Sequence, residues 1–224
     1  MPIRSRDIVA VVEDDFAASS SLAALIDSLD MDCRTFASAE EFLERGLDAA
    51  PSCIVIDLCL PGMNGLDLME RFVTRSDAPP IIFVTGFATI PLVVKMMRDG
   101  AYTVLEKTCR TQELQEAIRT AVSRHHHSQR ERQEIREIKE RFDSLTEIEW
   151  LVVQGIARGT PNAQLAEQLN LGLRTIEKRR QQIFHKLRVD TLPAFIQLLY
   201  RADPDLVRSF SADGDHNEEV PKSA

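Results

Sequence analysis

Cys53-Ile54-Val55-Ile56-Asp57-Leu58-Cys59-Leu60-Pro61-Gly62-Met63-Asn64-Gly65 decides how the first half of the chain is read. A short apolar run, rich in β-branched residues and closed by Pro and Gly, has the form of a central strand buried on both faces of a parallel sheet. Asp57 then stands at the carboxyl end of that strand. In open α/β sheets this is the edge where ligands and chemistry collect. Asn64 is placed to cap a following helix, with Asp67 in its first turn, where a carboxylate suits the helix dipole.

Three other runs end in the same way. Ile8-Val9-Ala10-Val11-Val12 leads into Glu13-Asp14-Asp15, Ile81-Ile82-Phe83-Val84 into Thr85-Gly86, and Val104-Leu105 through Glu106 to Lys107. A lone strand-end Asp is compatible with a simple turn. Four runs ending in acid, acid, hydroxyl and amine converge at one edge if the strands are parallel neighbours. Clustered carboxylates repel unless a cation lies among them. Glu13, Asp14 and Asp57 suit Mg²⁺, a hard cation that takes oxygen ligands and keeps several waters. Lys107 suits a phosphoryl group as a point charge, and the Thr85 hydroxyl can donate to it. The pattern reads as phosphoryl transfer onto Asp57.

Around these strands the spacing predicts helices from Phe16 to about Leu29, from Ser38 to Arg45, from Gly65 to Thr74 and from Ile90 to Asp99. A further strand lies near Cys33–Phe36. Ser38 with Glu41 forms a capping box, and Gly100 a C-cap. Alternating strands and helices imply a parallel sheet covered on both faces. From Thr111 the pattern stays helical to 145 without Gly or Pro. Its late stripe of Ile135, Ile138, Phe142 and Leu145 fits either a short coiled coil with a second copy or packing on the chain's own C-terminal domain. His125, His126 and His127 read as a solvated linker face, with metal binding or pH sensing as the alternative.

A second, smaller domain opens at Leu145-Thr146. Thr146 and Glu149 form a capping box, Gly159 ends the first helix, and Thr160-Pro161 fits an N-cap followed by Pro at the first helical position. The helix Asn162–Leu169, the turn Asn170-Leu171-Gly172 and the helix Leu173–Leu187 form a helix-turn-helix pattern. The second of these helices and the residue just past it carry Arg174, Lys178, Arg179, Arg180, Lys186 and Arg188 against Glu177 alone. Such a face can neutralise phosphates and enter a major groove.

Chain length and apolar content suit two domains. The net charge of −8 is unevenly spread. Residues 1–121 hold 11 basic and 19 acidic groups, residues 122–200 hold 13 and 10, and the last 24 hold 3 and 6. Cys33, Cys53, Cys59 and Cys109 form no metal-ligand spacing and suit a reducing compartment. The first residues lack an apolar signal region and no run reaches membrane-spanning length, so a cytoplasmic protein with no membrane partner is expected.

Residues from about Ile8 to Val122 resemble a response-regulator receiver domain, in the order and spacing of the acidic pair, the IDLCLPGMNG run, the VTG run and Lys107. Residues 145–200 resemble a LuxR-type DNA-binding domain through Leu169–Arg180 and Lys186-Leu187. Together they look like a FixJ/NarL-type response regulator. The resemblance implies a flavodoxin-like, doubly wound five-stranded parallel sheet, then a long linker helix and an all-α four-helix domain. It implies a receiver at 1–122, a linker at 123–144, a helix-turn-helix domain at 145–201 and a disordered acidic tail at 202–224. A sensor histidine kinase would phosphorylate Asp57, switching through Thr85 and Lys107. Mg²⁺ (or Mn²⁺) would be held by Glu13, Asp14, Asp57 and the Cys59 backbone carbonyl. Glu177, Lys178 and Gln181 would read bases, with Arg174, Thr175, Arg179 and Arg180 near phosphates and Lys186 on the same surface. Partners would be double-stranded DNA, a second copy when phosphorylated or DNA-bound, and RNA polymerase.

Three positions depart from the family's pattern. Val104 stands where an aromatic switch residue is usual, with Tyr102 on the same face by strand parity. Thr108 replaces the Pro that commonly follows the lysine, so a trans peptide is expected there. Arg179 replaces a usual His. A phosphorylation-independent or weakly switching DNA-binding regulator is therefore an alternative, as is a protein-binding basic helix. An aspartyl-phosphate hydrolase of the haloacid dehalogenase type would need a carboxylate two residues after Asp57, where this chain has Cys59. The expected chemistry is that of a non-enzymatic phosphoacceptor with at most slow autodephosphorylation.

Overall fold

The computed structural model describes residues 6–46, 48, 50–73 and 77–212. They divide into two units, Met1–Arg130 and Glu131–Ala224.

The strand runs become β1 (Ile8–Val12), β2 (Asp32–Phe36), β3 (Cys53–Ile56), β4 (Ile81–Thr85) and β5 (Thr103–Glu106), all parallel, in the order β2-β1-β3-β4-β5. This is the expected doubly wound order, and the connection reverses between β1 and β3. Alternate side chains serve opposite faces. Ala10, Val12, Ile54, Ile56 and Phe83 pack against Phe42, Leu68, Phe72 and Met96. Val9, Val11, Val55, Ile82 and Val84 pack against Ile26, Leu114, Ile118 and Val122. The covering helices are α1 (Phe16–Asp27), a short α2 (Ala39–Glu41) continued by a π turn (Phe42–Gly46), α3 (Gly65–Val73), α4 (Ile90–Asp99) and α5 (Thr111–Asp143). The expected end of α3 at Thr74 lies outside the described residues.

Local chemistry explains several boundaries. Asn64 caps α3: its Oδ1 accepts the Asp67 N–H at 3.0 Å, and its Nδ2 donates to Asp67 at 2.8 Å. Gly100, with φ of 114°, closes α4. The Ser38 box is only half formed. Ser38 Oγ accepts the Glu41 N–H at 3.1 Å, but the Glu41 carboxylate takes the Ala37 N–H at 2.8 Å, one residue early.

Helix α5 is continuous through 33 residues and crosses the boundary between the units. The histidine stretch is not simply solvated. His126 Nε2 lies 2.6 Å from Asp7 Oδ1, which also accepts the Ser52 hydroxyl at 3.0 Å. Tyr102 also differs from expectation. It sits one residue before β5, and although its N–H still bonds the Ile81 carbonyl at 2.8 Å, its ring does not share the face of Val104. Its ring packs on the α1/α5 side, with the Arg124 guanidinium 5.6 Å from its centroid, while Val104 faces the opposite cluster. Peptide bonds among the described residues are all trans, including the one before Thr108.

The second unit contains α6 (Glu147–Ala157), α7 (Asn162–Gln168), α8 (Leu173–Leu187), α9 (Leu192–Ala202) and α10 (Pro204–Ala212). Its core joins Val152, Leu165, Ile176, Ile183, Phe195 and Leu199 to Ile138 and Phe142 from the end of α5. The late stripe of α5 thus packs on its own C-terminal unit. Phe142 meets the chain's single tryptophan, Trp150, edge-on at 6.0 Å. Two expectations change here. Thr160 is not the cap of α7: the first helical bond, from the Leu165 N–H, is accepted by the Pro161 carbonyl at 3.0 Å, and no side chain caps the start. Residues 204–212 were expected within a disordered tail but form α10, with Leu206 and Val207 packed on the core. Asp203 accepts the N–H groups of Asp205 and Leu206 at its start, at 3.1 and 3.0 Å. The remainder of that tail, 213–224, lies outside the described residues.

Because Phe142 is buried in the second unit, Phe142→Ala should destabilise that unit by about 3–5 kcal/mol and Ile138→Ala by about 2–5 kcal/mol. Denaturant unfolding followed by Trp150 fluorescence would show these shifts. A transition unchanged by either variant would mean the end of α5 is not part of that core.

Candidate functional site

The register of β1 on β3 pairs Val12 with Ile56, so the residues that follow, Glu13 and Asp57, emerge side by side. The Asp57 N–H extends the ladder to the Val12 carbonyl at 3.0 Å. The turn after Asp57 demands its glycines. Gly62 has φ of 77°, and a Cβ on Gly65 would lie 2.5 Å from the Asp57 carbonyl oxygen. Glu40, 23 residues away in sequence, fastens the same turn by accepting the Met63 N–H at 2.8 Å. That bond draws its carboxyl below the usual range.

Glu13, Asp14 and Asp57 each offer an oxygen within 4.8 Å of the others. Glu13 and Asp57 are buried and Asp14 is exposed. Lys107 Nζ donates to Asp57 Oδ2 at 2.8 Å and to Glu13 Oε1 at 3.0 Å. Burial, with the Asp57 charge beside it, raises the Glu13 pKa even though Lys107 opposes the rise. Burial pulls Lys107 down, but its bonds to Asp57 and Glu13 more than offset this, and its pKa is raised. The Cys59 N–H donates to Asp57 Oδ1 at 3.2 Å, bringing that stretch of backbone to the cluster. Thr85 is fully buried, and its hydroxyl oxygen accepts the Phe87 N–H at 3.2 Å rather than bonding Asp57. The Lys107 N–H bonds the Thr85 carbonyl at 2.9 Å, so the two chain segments are adjacent.

The donor set fits a divalent cation. Three carboxylates against one ammonium leave an excess of two negative charges. At 4.8 Å, each carboxylate pair repels by roughly 3–4 kcal/mol at an effective dielectric of about 20, less where Asp14 meets solvent. All-oxygen ligation in this geometry matches Mg²⁺ or Mn²⁺ rather than a softer metal.

The second cluster lies on α8. Arg174, Thr175, Glu177, Lys178, Gln181 and Lys186 are exposed there, while Ile176, Ile183 and Leu187 are buried beneath. Arg179 and Arg180 are half-buried. Arg179 Nε is enclosed without a hydrogen-bond partner, and Arg180 Nη1 donates to Asn162 Oδ1 at 2.9 Å. Lys186 is committed within the fold: its ammonium reaches the buried Glu149 carboxylate at 2.7 Å. Glu149 also completes the Thr146 capping box. Burial raises the Glu149 pKa, but Lys186 and Thr146 outweigh it and the net shift is downward. The Thr146–Glu149 box is legible in the residue order, but Lys186 as its partner, Asn162 beside Arg180 and Glu40 on the Met63 turn are not. These pairs join residues far apart in sequence, so no periodicity marks them.

A phosphoryl-acceptor-like edge on a doubly wound sheet, followed by a helix-turn-helix unit with a cationic second helix, defines the class of response-regulator transcription factors. Comparison with known proteins agrees. The response regulator receiver domain matches residues 9–119, and the luxR family of bacterial regulatory proteins matches residues 143–199. Nodulation protein W of Bradyrhizobium diazoefficiens is 34% identical over 194 residues, covering 87% of this chain and 86% of that one. The transcriptional regulatory protein FixJ of Azorhizobium caulinodans is 30% identical, covering 85% and 90%. The solved structure of the response regulator StyR is 32% identical, covers 88% of this chain and 99% of its own, and has a TM-score of 0.80. The chain belongs to the two-component response regulators of the FixJ/NarL type.

The Glu149–Lys186 pair makes a signed prediction. A carboxyl whose folded pKa is depressed stabilises the fold above its unfolded value, here 4.5, and that stabilisation is lost as pH falls through the folded value. Glu149→Gln should therefore cost about 1.5–3 kcal/mol at neutral pH and flatten the acid limb of the stability profile. Trp150 fluorescence across a pH series measures both, and equal acid limbs in the two proteins would refute the pairing.

Proposed function

We propose that Asp57 is the phosphoacceptor and that its phosphorylation by a sensor histidine kinase controls dimerisation and binding to double-stranded DNA. The observation that carries this reading is the Lys107 ammonium held between Asp57 and Glu13, beside a third carboxylate. An Asp57 oxygen attacks the phosphorus of a phosphohistidine. The P–N bond breaks, its electron pair returns to the imidazole nitrogen, which takes up a proton, and an acyl phosphate forms on Asp57. Lys107 neutralises the charge on the transferred group as a point charge. Mg²⁺ or Mn²⁺, held by Glu13, Asp14, Asp57 and the Cys59 carbonyl, would supply further neutralisation of that charge when bound.

The Thr85 hydroxyl then donates to a phosphoryl oxygen. Because Thr85 Oγ1 already holds the Phe87 N–H, its movement carries the segment leading into α4. Phe87, Ile90, Val94 and Met97 are 73, 82, 50 and 46% exposed, and the last three share one face of α4. We assign that face to pairing with a second copy when Asp57 is phosphorylated. Coupling of this kind is worth roughly 1–3 kcal/mol. With Val104 in the switch position and Tyr102 engaged by Arg124, no aromatic side chain transmits the motion from β5. This favours weak switching as the second reading.

In the DNA complex Glu177, Lys178 and Gln181 face base edges, while Arg174, Thr175, Arg179 and Arg180 face phosphates. Lys186 contributes by holding α8 on α6. Contact with RNA polymerase would follow at the promoter. Among the described residues no helix is long and apolar enough to cross a membrane, and a reducing cytoplasm suits the four free cysteines.

Asp57→Asn should abolish incorporation of phosphate from acetyl phosphate and any phosphate-dependent gain in duplex affinity. If both survive, Asp57 is not the acceptor. If labelling is lost while DNA affinity never depended on it, the weakly switching reading stands. Val94→Asp should leave labelling intact and abolish phosphate-dependent dimerisation in light scattering. Dimerisation unchanged by that substitution would move the interface elsewhere.

A further inference from the structure

The contact between Asn162 and Arg180 points beyond the recognition residues already named. Arg180 lies on α8, yet its side chain turns toward the start of α7, where Nη1 meets Asn162 Oδ1 at 2.9 Å. A guanidinium only donates, so the Asn162 amide must present its oxygen to Arg180 and its NH₂ elsewhere. Among the described residues that NH₂ has no protein acceptor, and the guanidinium has no partner but Asn162. No Arg180 N–H group is among the enclosed side-chain atoms left without a hydrogen bond, so the others are not sealed in the interior. Burial pulls the Arg180 pKa below its ordinary value, as expected of a cation set partly into the protein rather than waving in solvent.

Both side chains line one open groove of about 440 Å³, together with Gln181, Phe184 and His185 of α8. Glu177 and Asp190 line it too. Two carboxylates repel a phosphate, so an anion can be held only where donors are concentrated. The one pinned cation of the groove, with an amide beside it, supplies that concentration. An arginine free to rotate loses side-chain entropy when it meets a phosphate. Arg180 is already ordered by Asn162.

We propose that Asn162 and Arg180 form a preset two-donor clamp for one backbone phosphate of duplex DNA, with Asn162 both fixing the guanidinium and supplying its own amide N–H. The proposal rests on the DNA-binding reading of α8 and adds to it a residue from α7, outside the recognition helix. The clamp contacts backbone and not bases, so it sets affinity and register and contributes no sequence preference of its own.

Asn162→Asp separates the clamp from a structural role. An aspartate keeps the acceptor for Arg180 and strengthens it by charge, so folding should be unchanged or improved. It removes the amide donor and neutralises the guanidinium, so DNA binding should fall. The full-length protein would be titrated with random-sequence duplexes, one A·T-rich and one G·C-rich, over a salt series. The expected result is a loss of about tenfold or more for N162D on both duplexes, with the salt slope shallower by about one unit. Ala163→Asp adds the same charge at the adjacent, exposed position and should cost much less. Asn162→Ala and Arg180→Gln should each match N162D in affinity without its thermal stability. Equal binding by N162D and the wild type would overturn the clamp, leaving Asn162 a purely structural partner. Equal losses for A163D and N162D would also overturn it, in favour of diffuse electrostatics. If the wild-type protein shows no salt-steep duplex binding, the DNA-binding reading fails first, and the clamp with it.

Discussion

The Lys107 ammonium held between Asp57 and Glu13 is the interaction on which the N-terminal unit depends. Two buried carboxylates from adjacent parallel strands repel each other, and without a cation one of them would have to protonate. Lys107 arrives from the far side of the sheet, after β5, and its 2.8 and 3.0 Å contacts tie three strand ends into one electrostatic unit. Glu13 nonetheless keeps a raised pKa, so the ammonium does not fully offset burial. The site is left short of positive charge, and the proposed roles of a metal ion and a phosphoryl group rest on that shortage. The same strand ends would be inert if the order of the sheet were different, because only the reversal between β1 and β3 sets Glu13 against Asp57.

The other end of this unit is organised by α5. Arg124 over Tyr102 and His126 against Asp7 fix the helix where it leaves the sheet, and the same helix then delivers Ile138 and Phe142 to the core of the second unit. The stretch Thr111–Asp143 is helical backbone throughout. Its side chains belong to one core or the other at both ends. An aromatic switch at position 104 would act on the α4 side of the sheet. Here Tyr102 is used instead to hold α5, and Val104 packs in its place.

Much of this could be read from residue order because the relevant signals are local. Four apolar runs, each closed by a polar group, gave both the sheet and the convergence of Glu13, Asp57, Thr85 and Lys107. Asn64, Gly100 and the Thr146–Glu149 box were legible because caps act over three or four residues. The failures share a different cause. Thr160 looks like a cap, but the first bond of α7 is accepted one residue later, by the Pro161 carbonyl. Tyr102 looks like a strand residue until β5 begins one position later. Residues 204–212 look like an acidic tail because Leu206 and Val207 are few, and only the core already assembled by α5, α6 and α9 gives them something to cover. In each case the outcome turned on a contact that residue order alone does not display.

Net charge is a further case in which location outweighs total. The whole chain is acidic, with a net charge of −8, yet α8 is strongly cationic. Even there the cations are not equivalent. Lys186 is committed to Glu149, Arg180 is held by Asn162, and Arg174 and Lys178 stand in solvent. The committed groups fix the helix and the direction of its side chains, and the free ones supply field. A helix carrying only free cations would attract DNA but meet it with disordered side chains, whose ordering would oppose binding. Immobilising part of the charge inside the fold moves that ordering into the folding step, and the proposed DNA contacts would draw on it.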